Sequence, residues 1–183
     1  SAVMVAASIC MPAAAQVAPS PETIAAYRGL HAAAAKGDVA AIERAVRDGA
    51  ALDAADPQQR TPLHVAIFMK QHEAARALLR HGGGNPGAIT SVYDGTALIA
   101  AAHLGHAEVV RMLISAGAPL DHVNNLGWTA LMESIVLGDG GTAHTDTLAA
   151  LVKAGANVDI ADRDGVKPLS HARRRGFTAM TEI

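Results

Sequence analysis

The stretch TPLH at Thr61–His64 comes back along the chain in altered form: TALI from Thr96, TALM from Thr129, KPLS from Lys167 and a degenerate RGLH from Arg28. The starts are 33, 35, 33 and 38 residues apart. A unit of that length holds two short helices but cannot bury both of its own faces. The chain is therefore expected to pile its units side by side and to gain stability unit by unit.

Two further marks keep register with these starts. A glycine follows twenty-one residues on, or twenty-six in the unit at Thr129: Gly49, Gly82, Gly117 and Gly155. Nine residues after each start stands Gly37, Gly105, Gly138 or Gly176, with Lys70 as the exception. Between the two marks lie paired apolar residues at helical spacing, such as Val109 and Val110 followed by Leu113 and Ile114. Each unit thus reads as a short helix, a glycine turn, a second helix, a glycine C-cap and a loop to the next unit. Thr61 and its counterparts sit where a hydroxyl takes up free backbone N–H groups, and Pro62 where its missing donor does no harm. Leu63, Leu98, Leu131 and Leu169 are expected to point into the stack, each worth roughly 1.5–3 kcal/mol if fully buried. Ser20, Pro21 and Glu22 make a good cap, so the first helix is expected to start early and cover the N-terminal end.

The segments RTPLHVA, GHAEVVRMLISAGAPLD, GWTAL, LVKAGANVD and DRDGVKPL resemble the ankyrin repeat, over about residues 21 to 183. The resemblance implies an all-α fold, an ankyrin-repeat solenoid of stacked helix-turn-helix units joined by hairpin loops. Three units are full, starting at Thr61, Thr96 and Thr129; the unit at Arg28 is divergent and the one at Lys167 partial.

The composition suits close packing of small side chains. Half the chain is apolar and alanine is its largest part, nearly half of it, while the aromatics are Trp128, Tyr27, Tyr93, Phe68 and Phe177. Fifteen basic against seventeen acidic residues give a net charge of −2, so no global field draws the chain to nucleic acid. The single cysteine, Cys10, excludes an internal disulfide and a cysteine-based zinc site.

The first twenty-one residues carry no charge. Ala2 to Met11 has the length of a secretory h-region, and Ala13 and Ala15 before Gln16 form an A-x-A cleavage pattern. Residues 1–20 read as a truncated signal peptide and linker, with an ordinary helix or linker as the alternative; the first reading makes the protein periplasmic or secreted, the second leaves it cytoplasmic. The run is too short to span a bilayer, and no later stretch is apolar for long enough, so no membrane insertion of the mature chain is expected.

Of the nine histidines, His31 and His64 fall on the H of TPLH and His106 on the repeat's Gly-His mark, with His81 just before a repeat glycine. The resemblance implies that such histidines hold loops together by hydrogen bonds. His103 and His106, three apart on a helix, share a face and form the weaker candidate for a metal pair, with His144 as a third ligand. A calcium loop at residues 159–171 fails, because Ile160 and His171 would occupy its end positions, and Asp162, Asp164 and Gly165 read as a turn. The stretch GDGGTAHTD, from Gly138 to Asp146, has about five residues more than its equivalents and reads as a flexible insertion without a phosphate-binding pattern. No serine or cysteine stands in a nucleophile's setting, so neither catalysis nor a cofactor is expected. Arg173, Arg174 and Arg175 read as a solvated cap on the last unit, or as an anionic docking patch.

The resemblance further implies that a partner protein binds the concave face of inner helices and loop tips. Its variable positions map to Arg60, Phe68 and Met69, to His103 and Leu104, and to Trp128, Val136 and Leu137, with Tyr93 beside Asp94 at a loop tip. So many apolar side chains in one ladder suit an interface better than a solvated face, unless some pack between units. The expected function is a non-catalytic protein-binding module, in an exported form linked to periplasmic stress protection. The alternatives are a metal-dependent or enzymatic accessory protein using His103, His106 and His144, and an intracellular effector or toxin-neutralising protein.

Overall fold

The computed structural model describes residues 18–89 and 93–183. The expected leader at residues 1–20, with Cys10, lies outside the described residues but for its last three. Among the described residues there are eleven helices and no strand. A short α1 (Pro21–Ala26) precedes five helix pairs: α2 (Gly29–Lys36) with α3 (Val39–Arg47), α4 (Pro62–Phe68) with α5 (His72–Arg80), α6 (Ala97–His103) with α7 (Ala107–Ser115), α8 (Ala130–Val136) with α9 (Thr142–Lys153), and α10 (Pro168–Arg174) with α11 (Thr178–Thr181). Each inner helix packs on the inner helices of the neighbouring units, and each outer helix from α3 to α11 on the outer ones.

Local chemistry sets the helix starts. The hydroxyls of Thr61, Thr96 and Thr129 accept the N–H groups of His64, Ile99 and Met132, at 3.5, 3.4 and 3.1 Å. Ser20 does the same for Thr23. Packing then exploits the alanines. Every residue of α6 from Ala97 to Ala102 is at most 1 % exposed, because α4, α7, α8 and α9 all lie against it, and its four alanines let their backbones come close. Leu63, Leu98 and Leu131 are equally enclosed.

Three expectations are corrected. Leu169 does not point into a closed stack: it is 43 % exposed, since no described helix covers the outer side of α10. The first helix does not run on into the first unit. It ends at Ala26, where Tyr27 turns extended (ψ 145°) and sends its hydroxyl to Asp56 Oδ2, 2.7 Å away. The insertion after Gly138 is folded. Asp139 Oδ1 accepts from the Gly141 N–H at 2.9 Å and pairs with His144 Nδ1 at 2.9 Å, and α9 starts a turn early at Thr142. Counting back eleven residues from Gly155 reaches His144, as the same count from Gly117 reaches His106, so His144 is the Gly-His histidine of its unit displaced by the insertion. Its Nε2 bonds the His103 carbonyl oxygen at 3.1 Å and clips two units together. No helix among the described residues is long and apolar enough to cross a membrane.

Candidate docking face

The loops between units are built on one recurring device. Five residues before the inner-helix caps Thr61, Thr129 and Lys167, an Asx side chain folds the loop back on itself. Asp56 Oδ1 accepts from the N–H groups of Gln58 and Arg60, Asn124 Oδ1 from those of Leu126 and Trp128, and Asp162 Oδ1 from those of Asp164 and Val166. The second polar atom of each is held from elsewhere: Asp56 by Tyr27 and Arg60, Asn124 by Glu133, and Asp162 by His171. Burial works to raise the carboxyls of Asp56 and Asp162, but the hydrogen bonds from backbone and side chains outweigh it and hold both below the usual aspartate value. The turn expected at residues 162–165 is one instance of this device.

The ladder of side chains expected to meet a partner is half-buried rather than open. Phe68, Met69 and Leu104 pack part of their surface on the core. Trp128, Val136, Leu137, His103 and Tyr93 are also of intermediate exposure. Arg60 is a correction: it is 4 % exposed, with Nε 2.8 Å and Nη2 2.7 Å from Asp56 Oδ2, so its charge is spent inside the loop. Among the described residues, the large apolar side chains most open to solvent were not expected to be so from sequence, which placed Leu169 in the core and did not single out the others. They are Ile89, Val123 and Val158 in the loops, and Leu169 and Ile183 beyond them. An apolar residue among Gly, Asn and Asp in a loop was the available signal.

The histidines divide by what their rings meet. His31 Nε2 bonds the Arg60 carbonyl oxygen at 3.0 Å, His64 Nδ1 the Thr61 hydroxyl at 2.8 Å, and His81 Nε2 pairs with Glu43 at 2.8 Å. His106 stands edge-on to His72, with ring centroids 5.2 Å apart. Burial pushes both His64 and His106 down to about 4, and the charges of His72, Lys70 and His144 add to the effect at His106. Burial, then His144, also lowers His103. Among the described residues no group of three or more His, Cys, Asp or Glu side chains is gathered to hold a metal; the His144 ring bonds Asp139 and the His103 carbonyl oxygen, and the His106 ring stands against His72. Arg175 donates to the carbonyl oxygens of Val136 and Gly138 and lies 4.7 Å over the Phe177 ring, so it ties the last unit to the end of α8.

Sequence reasoning also passed over Glu133. Its side chain is wholly enclosed, Oε1 accepts from Asn124 Nδ2 at 2.7 Å, and burial drives its carboxyl up to about 8 against the Asn124 hydrogen bond. An acid set between Leu131, Met132 and Ile135 on an inner helix was the visible sign.

Comparison with known proteins agrees with this architecture. A profile for ankyrin repeats (3 copies) matches residues 22–90 and 83–162. The YahD ankyrin repeat protein of Escherichia coli (strain K12) is 26% identical over 183 residues, covering 82% of this chain and 91% of its own. Ankyrin repeat and SOCS box protein 3 of Bos taurus is 29% identical across 75% of this chain, which spans only 32% of that longer protein. A crystal structure of an ankyrin repeat domain from Acinetobacter baumannii AYE superposes with a TM-score of 0.54 at 37% identity, covering 84% of this chain and 94% of that one.

Proposed function

Because the chain belongs to the ankyrin repeat family, whose members generally bind other proteins, we propose that it is a non-catalytic module docking a folded partner on its inner-helix ends and loop tips. One observation carries this reading. The Asn124 side chain braces the loop that bears Trp128, and Trp128 stands with Val136, Leu137, Leu104, Met69 and Phe68 in a band of apolar side chains that all keep some surface in solvent. A band of this kind gains from being covered, and tryptophan is favoured at interface centres. Ile89 and Val123, in the loops that lead into inner helices, are exposed apolar side chains as well.

Docking is tested by affinity capture from the native compartment, with mass spectrometry, using the wild type and the double variant Phe68→Ala, Trp128→Ala. Loss of the same captured proteins by the double variant is expected; unchanged recovery puts the face elsewhere. Export to a periplasm, and with it a role in stress protection, rests on the A-x-A pattern at Ala13 and Ala15. N-terminal sequencing of the mature protein tests it, and an intact Ala2–Met11 segment defeats it.

A further inference from the structure

Glu133 and His103 face each other across the boundary between two units, with Oε2 and Nδ1 3.6 Å apart. Both atoms are shut off from solvent, and neither has a hydrogen-bond partner. That separation is too long for a hydrogen bond, and two buried polar atoms left open toward one another are uncommon in folded proteins. Two of the proposed docking residues connect to this acid. His103 is one of the pair, and Trp128 is linked to it through Asn124, which donates to Glu133 Oε1 at 2.7 Å and accepts from the Trp128 backbone N–H at 3.0 Å.

We propose that Glu133 and His103 form a proton-operated latch beneath the docking face, which changes how His103 and Trp128 are presented to a partner. The proposal rests on the docking reading given above and deepens it. While Glu133 is neutral, its proton sits on Oε2, because Oε1 accepts from Asn124, and with the His103 ring proton on Nδ1 two donors face each other and no hydrogen bond closes the gap. When the carboxyl loses its proton to solvent, the buried carboxylate attracts a donor. His103 stays neutral, keeps its ring proton on Nδ1, and closes the gap to roughly 2.8 Å with that Nδ1–H donated to Oε2. The ring is drawn inward, and the strengthened carboxylate pulls on Asn124 and so on the Trp128 loop. Burial supports this order, since it raises Glu133 and lowers His103, leaving the proton on the acid at neutral pH.

The other charged groups of the elements packed on α8 are occupied or face away. From α9, His144 bonds Asp139 and the His103 carbonyl oxygen, while Asp146 and Lys153 line a groove with Arg111 on the outer face. From α10, His171 holds Asp162, and Arg175 holds the α8 carbonyls, with Arg173 and Arg174 exposed. From α6, His103 is the one ionisable side chain, and α8 has no other than Glu133.

Trp128 is the only tryptophan, so its emission reports on the latch in the free protein. The full chain is titrated from pH about 6 to about 9.5, below most tyrosine ionisation, reading Trp128 emission and the His103 ring proton by NMR. In the wild type both signals are expected to follow one transition near pH 8, matching the raised carboxyl. Glu133→Gln, which keeps an acceptor for Asn124, is expected to abolish it, and His103→Gln to move its midpoint upward. A flat wild-type titration, or the same transition in Glu133→Gln, overturns the latch. Should Glu133→Gln fail to fold by circular dichroism, an unmoved midpoint in His103→Gln overturns it instead. Partner capture at pH about 7 and about 9 is expected to differ for the wild type; equal recovery overturns the regulatory role. The titration needs no partner, so failure of the Phe68 and Trp128 capture test with an intact titration removes the docking face and leaves the latch standing.

Discussion

Lys70 holds φ +58° at the turn position where Gly37, Gly105 and Gly176 hold +72°, +69° and +69°. A side chain there crowds its own carbonyl oxygen, at a cost of roughly 1–2 kcal/mol. Glycine relieves that but loses more freedom on folding, so Lys70→Gly is expected to raise stability by about 0.5–1 kcal/mol. The reading is a higher urea midpoint at unchanged slope; a lower midpoint counts against it. Lys70 was legible in sequence as the exception in a row of glycines. Arg60 was not legible in the same way, because the oxygen that claims its guanidinium, Asp56 Oδ2, belongs to a side chain oriented by the loop and by Tyr27, 29 residues away from it.

Leu98 and Leu169 hold one position in two helices, α6 and α10, and their difference lies in what covers each helix. Leu98 is fully enclosed by neighbouring units, while Leu169 is 43 % exposed. Leu98→Ala is therefore expected to cost about 2–5 kcal/mol, as cavities in packed cores do, and Leu169→Ala less than about 1 kcal/mol. Parallel denaturation of the two variants checks this, and equal losses would mean that α10 is covered in solution. The lengthened α9 offers a second case. His144 is braced by Asp139 and bonded to the His103 carbonyl oxygen, so His144→Ala removes a clip between units and is expected to cost about 1–2 kcal/mol. The extra residues were visible as an insertion, but their folding was not, since it depends on a carbonyl oxygen in the preceding unit.

Across the molecule, buried titratable groups pull stability in opposite directions with pH. His64 and His106 are held near 4 in the folded chain against 6.5 when unfolded, so the unfolded chain takes up more protons between these values and stability falls as pH drops from 6.5 toward 4. For the fully buried His64 alone the loss approaches roughly 3 kcal/mol. Glu133 acts the other way. Its folded value near 8 lies above the unfolded 4.5, so its contribution is present at acid pH and is lost as pH rises from 4.5 through 8. Thermal melts are expected to show a maximum between these arms, with Glu133→Gln flattening the alkaline one. An alkaline arm unchanged by that substitution would mean that another group sets it.

Helix order, the period of the units and most caps could be read along the chain, because threonine hydroxyls, glycine turns and apolar spacing act on residues a few positions away. Which equivalent leucine is enclosed, where Arg60 spends its charge and what Glu133 faces were decided only when units stacked, since burial and pairing there come from side chains about 30 residues distant. Short-range chemistry wrote the helices, and contact between units chose which of their side chains remain open to a partner.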